Sequence, residues 1–257
     1  MPSILNEIVN NKRRELVTRK KLRGPEFMQT AQPLGNNGFA RALSDASTVH
    51  VVCEFKPKSP SKGTINAAPD LTQILSAYNK FASAISVLTD EKYFGGSLEL
   101  LKEVTARSPL PTLCKDFVVE PFQCLEAREA GAQAVLLIVK ILNDEELVSL
   151  FRSVTDLGMT PVVEVQTEGE LQRALSLTPQ VVLMNNRNLE TFEIDFKTTK
   201  NLAPMIPSSC IKIAASGISQ KSDMDKLSQY CSNFLIGSSL MSAPNIAQKL
   251  EELVVAK

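Results

Sequence analysis

Residues 134–165 read AVLLIVKILNDEELVSLFRSVTDLGMTPVVEV, and this stretch decides the fold. Its first six residues, Ala134–Val139, form an unbroken apolar run rich in Val, Leu and Ile. That pattern suits a strand buried on both faces. Leu147, Leu150, Phe151, Val154 and Leu157 then recur at helical spacing and make one apolar stripe. Asn143 and Glu146 have capping-box spacing at the start of that stripe, and Gly158 stands where a left-handed C-cap ends a helix. A second apolar run follows at Pro161–Val165. Strand, helix, strand in this length predicts a parallel pair joined by a crossover helix.

Working outward, the same unit recurs. Apolar runs stand at Val51–Phe55, Ala84–Leu88, Pro111–Cys114, Ala134–Val139, Pro161–Val165, Val181–Met184, Ile211–Ala214 and Asn233–Ile236. Amphipathic segments separate them, for example the stripe Leu71, Ile74, Leu75 and Tyr78, and Thr167 with Glu170 repeats the capping-box spacing. Eight strand–helix units at nearly even spacing predict an α/β fold, a closed (β/α)8 TIM barrel rather than an open doubly wound sheet. Residues 1–48 precede the first strand and read as an N-terminal helical extension, with a basic helical segment at Ile4–Arg23 and a loop bearing Gly, Asn and Pro. The whole of 1–257 is expected to form one domain.

The chain has 257 residues, 44% of them hydrophobic, enough for one large core. Its 28 basic and 28 acidic residues cancel, so no global field points to nucleic acid or to an anionic membrane, and small molecules are the expected partners. No apolar run reaches the roughly 18 residues of a spanning helix. The five cysteines, Cys53, Cys114, Cys124, Cys210 and Cys231, are odd in number and dispersed, which suits a reducing, cytoplasmic setting. Glu7 and Glu15 argue against a transit peptide in the basic opening segment. A monomer or weak homo-oligomer is expected.

In such a barrel the chemistry sits where strands end and the following loops begin. The first strand carries Glu54 and leads into Lys56 and Ser59-Pro60-Ser61-Lys62-Gly63. The third leads into Lys115-Asp116, the fifth holds Glu164, and the sixth leads into Asn185-Asn186-Arg187. Glu164 stands between Val163 and Val165, and a buried carboxylate there is costly unless paired. Glu54 and Lys56, two apart, project to one face. Lysines and glutamates converging at the mouth would shift each other's pKa values, as proton transfer near neutral pH requires. After the last two strands come Ser216-Gly217-Ile218-Ser219 and Gly237-Ser238-Ser239, a Gly/Ser cup for a phosphate group in register with Lys56. The lone His50 lies at the opposite rim and reads as structural. No metal-ligand spacing and no Cys–His dyad stands out, so neither metal nor organic cofactor is expected.

These segments resemble the indole-3-glycerol-phosphate synthase family along nearly the whole chain. The resemblance rests on Cys53 to Gly63, on Ser86 to Asp90 followed by Phe94-Gly95-Gly96-Ser97, and on Leu113 to Phe117. It continues through Glu164-Val165, Asn185 to Arg187, Ser216 to Ile218 and Gly237 to Met241. It implies conversion of 1-(2-carboxyphenylamino)-1-deoxyribulose 5-phosphate to indole-3-glycerol phosphate, with loss of carbon dioxide and water, in tryptophan biosynthesis. It further implies Lys115 as general acid for ring closure, and Glu164, Glu54 and Lys56 as the groups that serve dehydration. Asn185 and Arg187, with Ser59 and Ser216, would contact the substrate's sugar and carboxylate, and Lys56, Gly217, Gly237 and Ser238 its phosphate.

The sequence also departs from the family pattern. Where the family has Glu-Ser-Gly-Ile after the seventh strand, this chain has Ala215-Ser216-Gly217-Ile218. That substitution keeps a second reading open, a catalytically impaired relative that binds a sugar phosphate as a sensor or partner protein. An isomerase acting on a related phosphoribosyl-amine is a third reading, disfavoured by the set of Lys115, Glu164 and Asn185.

Overall fold

The computed structural model describes residues 3–24, 26–27, 32–35 and 37–254. Eight parallel strands close into a barrel: β1 His50–Phe55, β2 Ala84–Leu88, β3 Thr112–Lys115, β4 Ala134–Ile138, β5 Thr160–Val165, β6 Val181–Asn185, β7 Ile211–Ala215 and β8 Asn233–Ile236. Each strand pairs with its neighbours in chain order, and β8 closes on β1 through His50↔Asn233 to Cys53↔Ile236. A helix follows each strand, the fourth being Asp144–Asp156 and the last Ile246–Val254. The expected TIM barrel is therefore the observed fold.

Why these residues close a barrel is visible in how they alternate. Val52, Ala84, Leu113, Leu136, Val162, Leu183, Ile213 and Leu235 belong to one buried cluster. Their strand neighbours Val51, Cys53, Ile85, Cys114, Val135, Val163, Val182, Ala214 and Phe234 belong to another, shared with the helix stripes. The first cluster fills the barrel and the second forms the layer between strands and helices. Strands apolar on both faces have nowhere else to go.

Local signals behave largely as read. Asn143 and Glu146 form the reciprocal capping box, and Gly158 takes φ +72° after the helix. Thr167 caps the next helix by accepting from Glu170 N, but the Glu170 carboxylate accepts from Gln166 N, one residue beyond the reciprocal partner.

The N-terminal helix, α1 (Ile4–Arg23), lies across the barrel, with Leu5 and Ile8 in the interior cluster beside Tyr93 and Phe117. The loop expected after it falls partly outside the described residues. A short helix at Phe39–Ala42, not legible as periodicity, sends Phe39 into the opposite end of the same cluster. Asn37 Nδ2 fastens it there, donating to Thr160 Oγ1 at 2.7 Å. A two-rung hairpin, Lys58–Ser59 against Gly63–Thr64, shapes the loop after β1. Among the described residues no helix is long and apolar enough to cross a membrane.

Candidate active site

The C-terminal strand ends gather the polar residues singled out above. Glu54, on β1, is 1% exposed and sits between two ammonium groups: Lys56 Nζ is 2.5 Å from its Oε1 and Lys115 Nζ 3.1 Å from its Oε2. Burial works against its charge, but Lys115 and Lys56 outweigh that and hold its carboxyl down at about 2. The two lysines diverge. Burial lowers the pKa of Lys56 despite Glu54, whereas for Lys115 burial is outweighed by Glu54 and Glu164 together, which raise it. Lys115 thus keeps its proton where Lys56 gives up charge more readily.

Glu164, on β5, is buried and accepts a hydrogen bond from Asn185 Nδ2 at 2.9 Å. Burial pushes its carboxyl above the usual range, against the pull of Lys115 and the Asn185 bond. Two carboxylates on opposite sides of one mouth, at β1 and β5, are therefore driven in opposite directions, the arrangement that separates a fixed anion from a proton-exchanging group. Asn185 Oδ1 accepts from Arg187 N at 3.0 Å, and the Arg187 guanidinium donates to the Phe192 carbonyl at 2.9 Å. Phe192 itself takes φ +62°, a strained conformation for an aromatic residue, in the turn that closes over Arg187.

Two connected cavities open from this ion cluster. One is walled by Leu88, Phe94, Phe117, Leu136, Ile138, Leu189 and Phe192, with Ser59, Lys115, Glu164, Asn185 and Arg187 on its polar side. The Phe94 and Phe117 rings pack with centroids 5.8 Å apart. Ser59 Oγ is buried there with no hydrogen-bond partner, a hydroxyl left for a ligand to satisfy. The other cavity is lined by Lys56, Lys62, Ala215 to Ser219 and Gly237 to Ser239.

That second cavity has the form of an anion cup. Ser216 and Gly217 both take positive φ, +69° and +84°, and a Cβ on residue 217 would lie 2.4 Å from Ile194. Gly237 precedes the short helix Ser238–Met241, whose first N–H groups have no side-chain cap. Ser239 Oγ donates to the Ile218 carbonyl at 3.0 Å and ties the two loops together. The helix Lys221–Leu227 is already served, because Asp223 Oδ2 accepts from Ser219 N and Gln220 N. Gly217, Gly237 and Ser238 line the cup, with Lys56 and Lys62 beside them.

All the residues expected at the site thus line one connected space: Glu54, Lys56, Ser59, Lys115, Glu164, Asn185, Arg187, Ser216, Gly217, Gly237 and Ser238. Sequence reasoning missed Lys62 and the apolar wall. Leu136 and Ile138 read as core strand residues, and only the barrel closure shows that alternate ones face the mouth. His50 lies at the far rim, bonded to Ser83 and Thr48. A cleft of about 540 Å³ also opens at that rim, lined by Arg41, Lys212 and Ser228 to Asn233, where strands begin and barrels concentrate stability rather than chemistry.

Known proteins carry a similar chain. The family model described as indole-3-glycerol phosphate synthase matches residues 5–253. The tryptophan biosynthesis protein TrpCF of Vibrio cholerae is 41% identical over 257 residues, covering 100% of this chain and 55% of that protein. The protein of the same name from Vibrio parahaemolyticus is 42% identical, covering 100% of this chain and 53% of its own length. This chain therefore spans about half the length of those two relatives. An indole-3-glycerol phosphate synthase of Streptococcus pneumoniae is 40% identical over 210 residues, 81% of this chain and 82% of that protein. A closed barrel with paired acid and base groups beside an anion cup, matched from residue 5 to 253, places the chain in the indole-3-glycerol phosphate synthase family.

Proposed function

We propose that the chain closes the indole ring of 1-(2-carboxyphenylamino)-1-deoxyribulose 5-phosphate, releasing carbon dioxide and water to give indole-3-glycerol phosphate. The observation that carries this reading is Glu54 held between Lys56 and Lys115, at the junction of an apolar, aromatic-walled cavity and a Gly/Ser cup. The substrate has that shape: an aryl ring at one end and a phosphate dianion at the other.

Bound across the junction, the substrate lays its aryl ring against Phe94, Phe117 and Leu136, with its carboxylate toward Arg187, whose planar fork suits a carboxylate. Ring closure forms a carbon–carbon bond from the ring carbon bearing the carboxylate to the ketone carbon, while Lys115 gives its proton to the ketone oxygen. Loss of carbon dioxide returns the bonding pair to the ring and restores aromaticity. Dehydration then moves a proton from the carbon beside the nitrogen, through Glu164, to the new hydroxyl, which leaves as water, and Lys115 regains its proton from solvent. Glu164 is the base for that step, because burial raises its pKa above the usual carboxylate range and makes it the stronger base of the two carboxylates. Glu54 stays ionised and anchors both lysines. Lys56 neutralises the phosphate with Gly217, Gly237 and Ser238, and Asn185 orients Glu164 and the sugar hydroxyls.

The test is turnover of the synthetic substrate followed by indole absorbance, with Lys115→Ala alongside. Turnover by wild type and loss of kcat with retained affinity in Lys115→Ala support the reading, since a proton donor acts mainly in the transition state. Saturable binding without product would support the sugar-phosphate sensor instead.

A further inference from the structure

The α1 stripe that packs on the barrel is Leu5, Ile8, Lys12 and Leu16, and one of these four buried residues is charged. Lys12 is 1% exposed, with its Nζ 3.0 Å from Asp90 Oδ2, 3.0 Å from Asp116 Oδ1 and 3.3 Å from Glu15 Oε2. Burial disfavours its charge, but Asp116 and Asp90 outweigh burial and raise its pKa above the usual lysine value. Two other ion pairs between α1 and the barrel, Arg13–Glu146 and Arg23–Glu129, reach solvent, and a third, Arg19–Glu126, is half-buried. Lys12 reaches further in.

Its two barrel partners hold the turns that carry the site. Asp116 follows Lys115 directly; its Oδ1 accepts from Phe117 N at 2.7 Å and its Oδ2 from Thr89 Oγ1 at 2.9 Å. Asp90 caps the short helix Glu91–Phe94, accepting from Tyr93 N at 2.8 Å, and its carbonyl accepts from Gly96 N. Thr89 N donates to the Lys115 carbonyl, which joins the two turns. One ammonium thus gathers the loop after β2, with Phe94, and the loop after β3, with Lys115 and Phe117. Without it two buried carboxylates would face each other across the seam.

We propose that Lys12 is a positioning residue: from outside the barrel it locks the turns bearing Lys115, Phe94 and Phe117 in the geometry that ring closure needs. The catalytic part of this rests on the ring-closure reading, while the locking of the turns does not. Because the cup is built from the loops after β7 and β8, Lys12 governs the aryl and proton-donor end alone.

The experiment compares wild type with Lys12→Met, Lys12→Arg and the double variant Lys12→Met/Asp116→Asn, which removes a charge on each side should the single neutral variant fail to fold. Hydrogen–deuterium exchange is read at residues 89–96 and 115–119 against 216–219 and 237–242, together with kcat and KM. Expected in the neutral variants are exchange about tenfold faster confined to the first two segments, and a kcat lower by about tenfold to a hundredfold with KM nearly unchanged. Lys12→Arg should recover part of both. Should wild type itself fail to turn over, the ring-closure reading falls and the exchange contrast alone decides the role of Lys12. Unchanged exchange at 89–96 and 115–119, acceleration spread equally over all four segments, or wild-type kcat in a folded neutral variant would overturn the proposal.

Discussion

Gly237 and Glu54 touch so closely that a Cβ on residue 237 would lie 2.2 Å from Glu54 Oε1 and 2.9 Å from Glu54 Cδ. The glycine at the end of β8 therefore does two things. It leaves room for the carboxylate that holds Lys56 and Lys115, and on the proposed reading it lets the backbone approach the substrate's phosphate. Gly237→Ala cannot be accommodated by a flexible tip, because the clash is with a side chain fixed by two ion pairs. The variant should lose kcat/KM by about a hundredfold or more, the scale for displacing a preorganised group by an ångström. Steady-state kinetics check this, and activity within a few-fold of wild type would mean that Glu54 is free to move without consequence.

Glu164→Gln should abolish dehydration yet stabilise the fold. A carboxyl whose pKa is raised by folding contributes stability below its unfolded pKa and loses it as pH rises through the folded value, so at neutral pH Glu164 is a cost. Glutamine keeps an oxygen for Asn185 Nδ2 and carries no charge to bury. A gain of about 1 kcal/mol would raise Tm by roughly 2–4 °C for a chain of this size. Thermal melts should show the gain at neutral pH and show it shrinking as pH falls toward the ordinary glutamate range. A lower Tm at neutral pH would show that the pair with Lys115 outweighs burial.

The pH profile should separate binding from chemistry. The acid limb of kcat/KM should lie above the ordinary glutamate range, since Glu164 must be ionised to act as base and burial raises its pKa. The alkaline limb should lie below the ordinary lysine range, since burial lowers the pKa of Lys56 and its charge fades there, weakening the hold on phosphate. In kcat the alkaline limb should move upward, because bound phosphate holds the Lys56 proton and Lys115 has a raised pKa of its own. Profiles of both parameters over the same buffers provide the check, and a shared alkaline limb would place Lys56 in the chemical step.

What was legible in the sequence is what repeats or what breaks a local pattern. Eight apolar runs with intervening stripes gave away the barrel, and Glu164 between two valines, or Gly237 ahead of two serines, marked the mouth. Lys12 also broke a pattern, standing in the stripe Leu5, Ile8, Leu16, but its partners are far along the chain and no spacing rule reaches them. Leu136 and Ile138 looked like any strand residues, because which face of a strand points inward depends on barrel closure. The strained turn at Phe192 has no sequence marker, since its φ is imposed by the bridge of Arg187 to Ile194 around it.

Ala215 is where this chain leaves the family pattern, and its surroundings define what a restored carboxylate would meet. It ends β7, is 3% exposed, pairs in register with Asn185 and Leu235, and lines the cup cavity beside Ser216 and Gly217. The two cavities at the mouth are lined by four cations, Lys56, Lys62, Lys115 and Arg187, against three carboxylates, Glu54, Asp116 and Glu164. Before substrate binds the balance is positive by one charge, which favours the phosphate dianion. A glutamate at 215 would cancel that excess, but it would add an acceptor beside the sugar hydroxyls, close to the atoms that change bonding during dehydration. Positioned acid–base groups contribute on the order of a hundredfold or more, and against that gain stands one added charge in a cup that keeps its four cations for the phosphate. The chemical gain should therefore exceed the binding loss, and Ala215→Glu should raise kcat by more than it raises KM. Because Glu164 and Lys115 make a complete base–acid set on the proposed reading, wild type should be active though slower than the variant. Steady-state kinetics of the two proteins side by side decide the matter. A variant with lower kcat/KM would show that β7 and its neighbours have repacked around the smaller side chain, with Leu235 and Asn185 occupying the space a carboxylate needs.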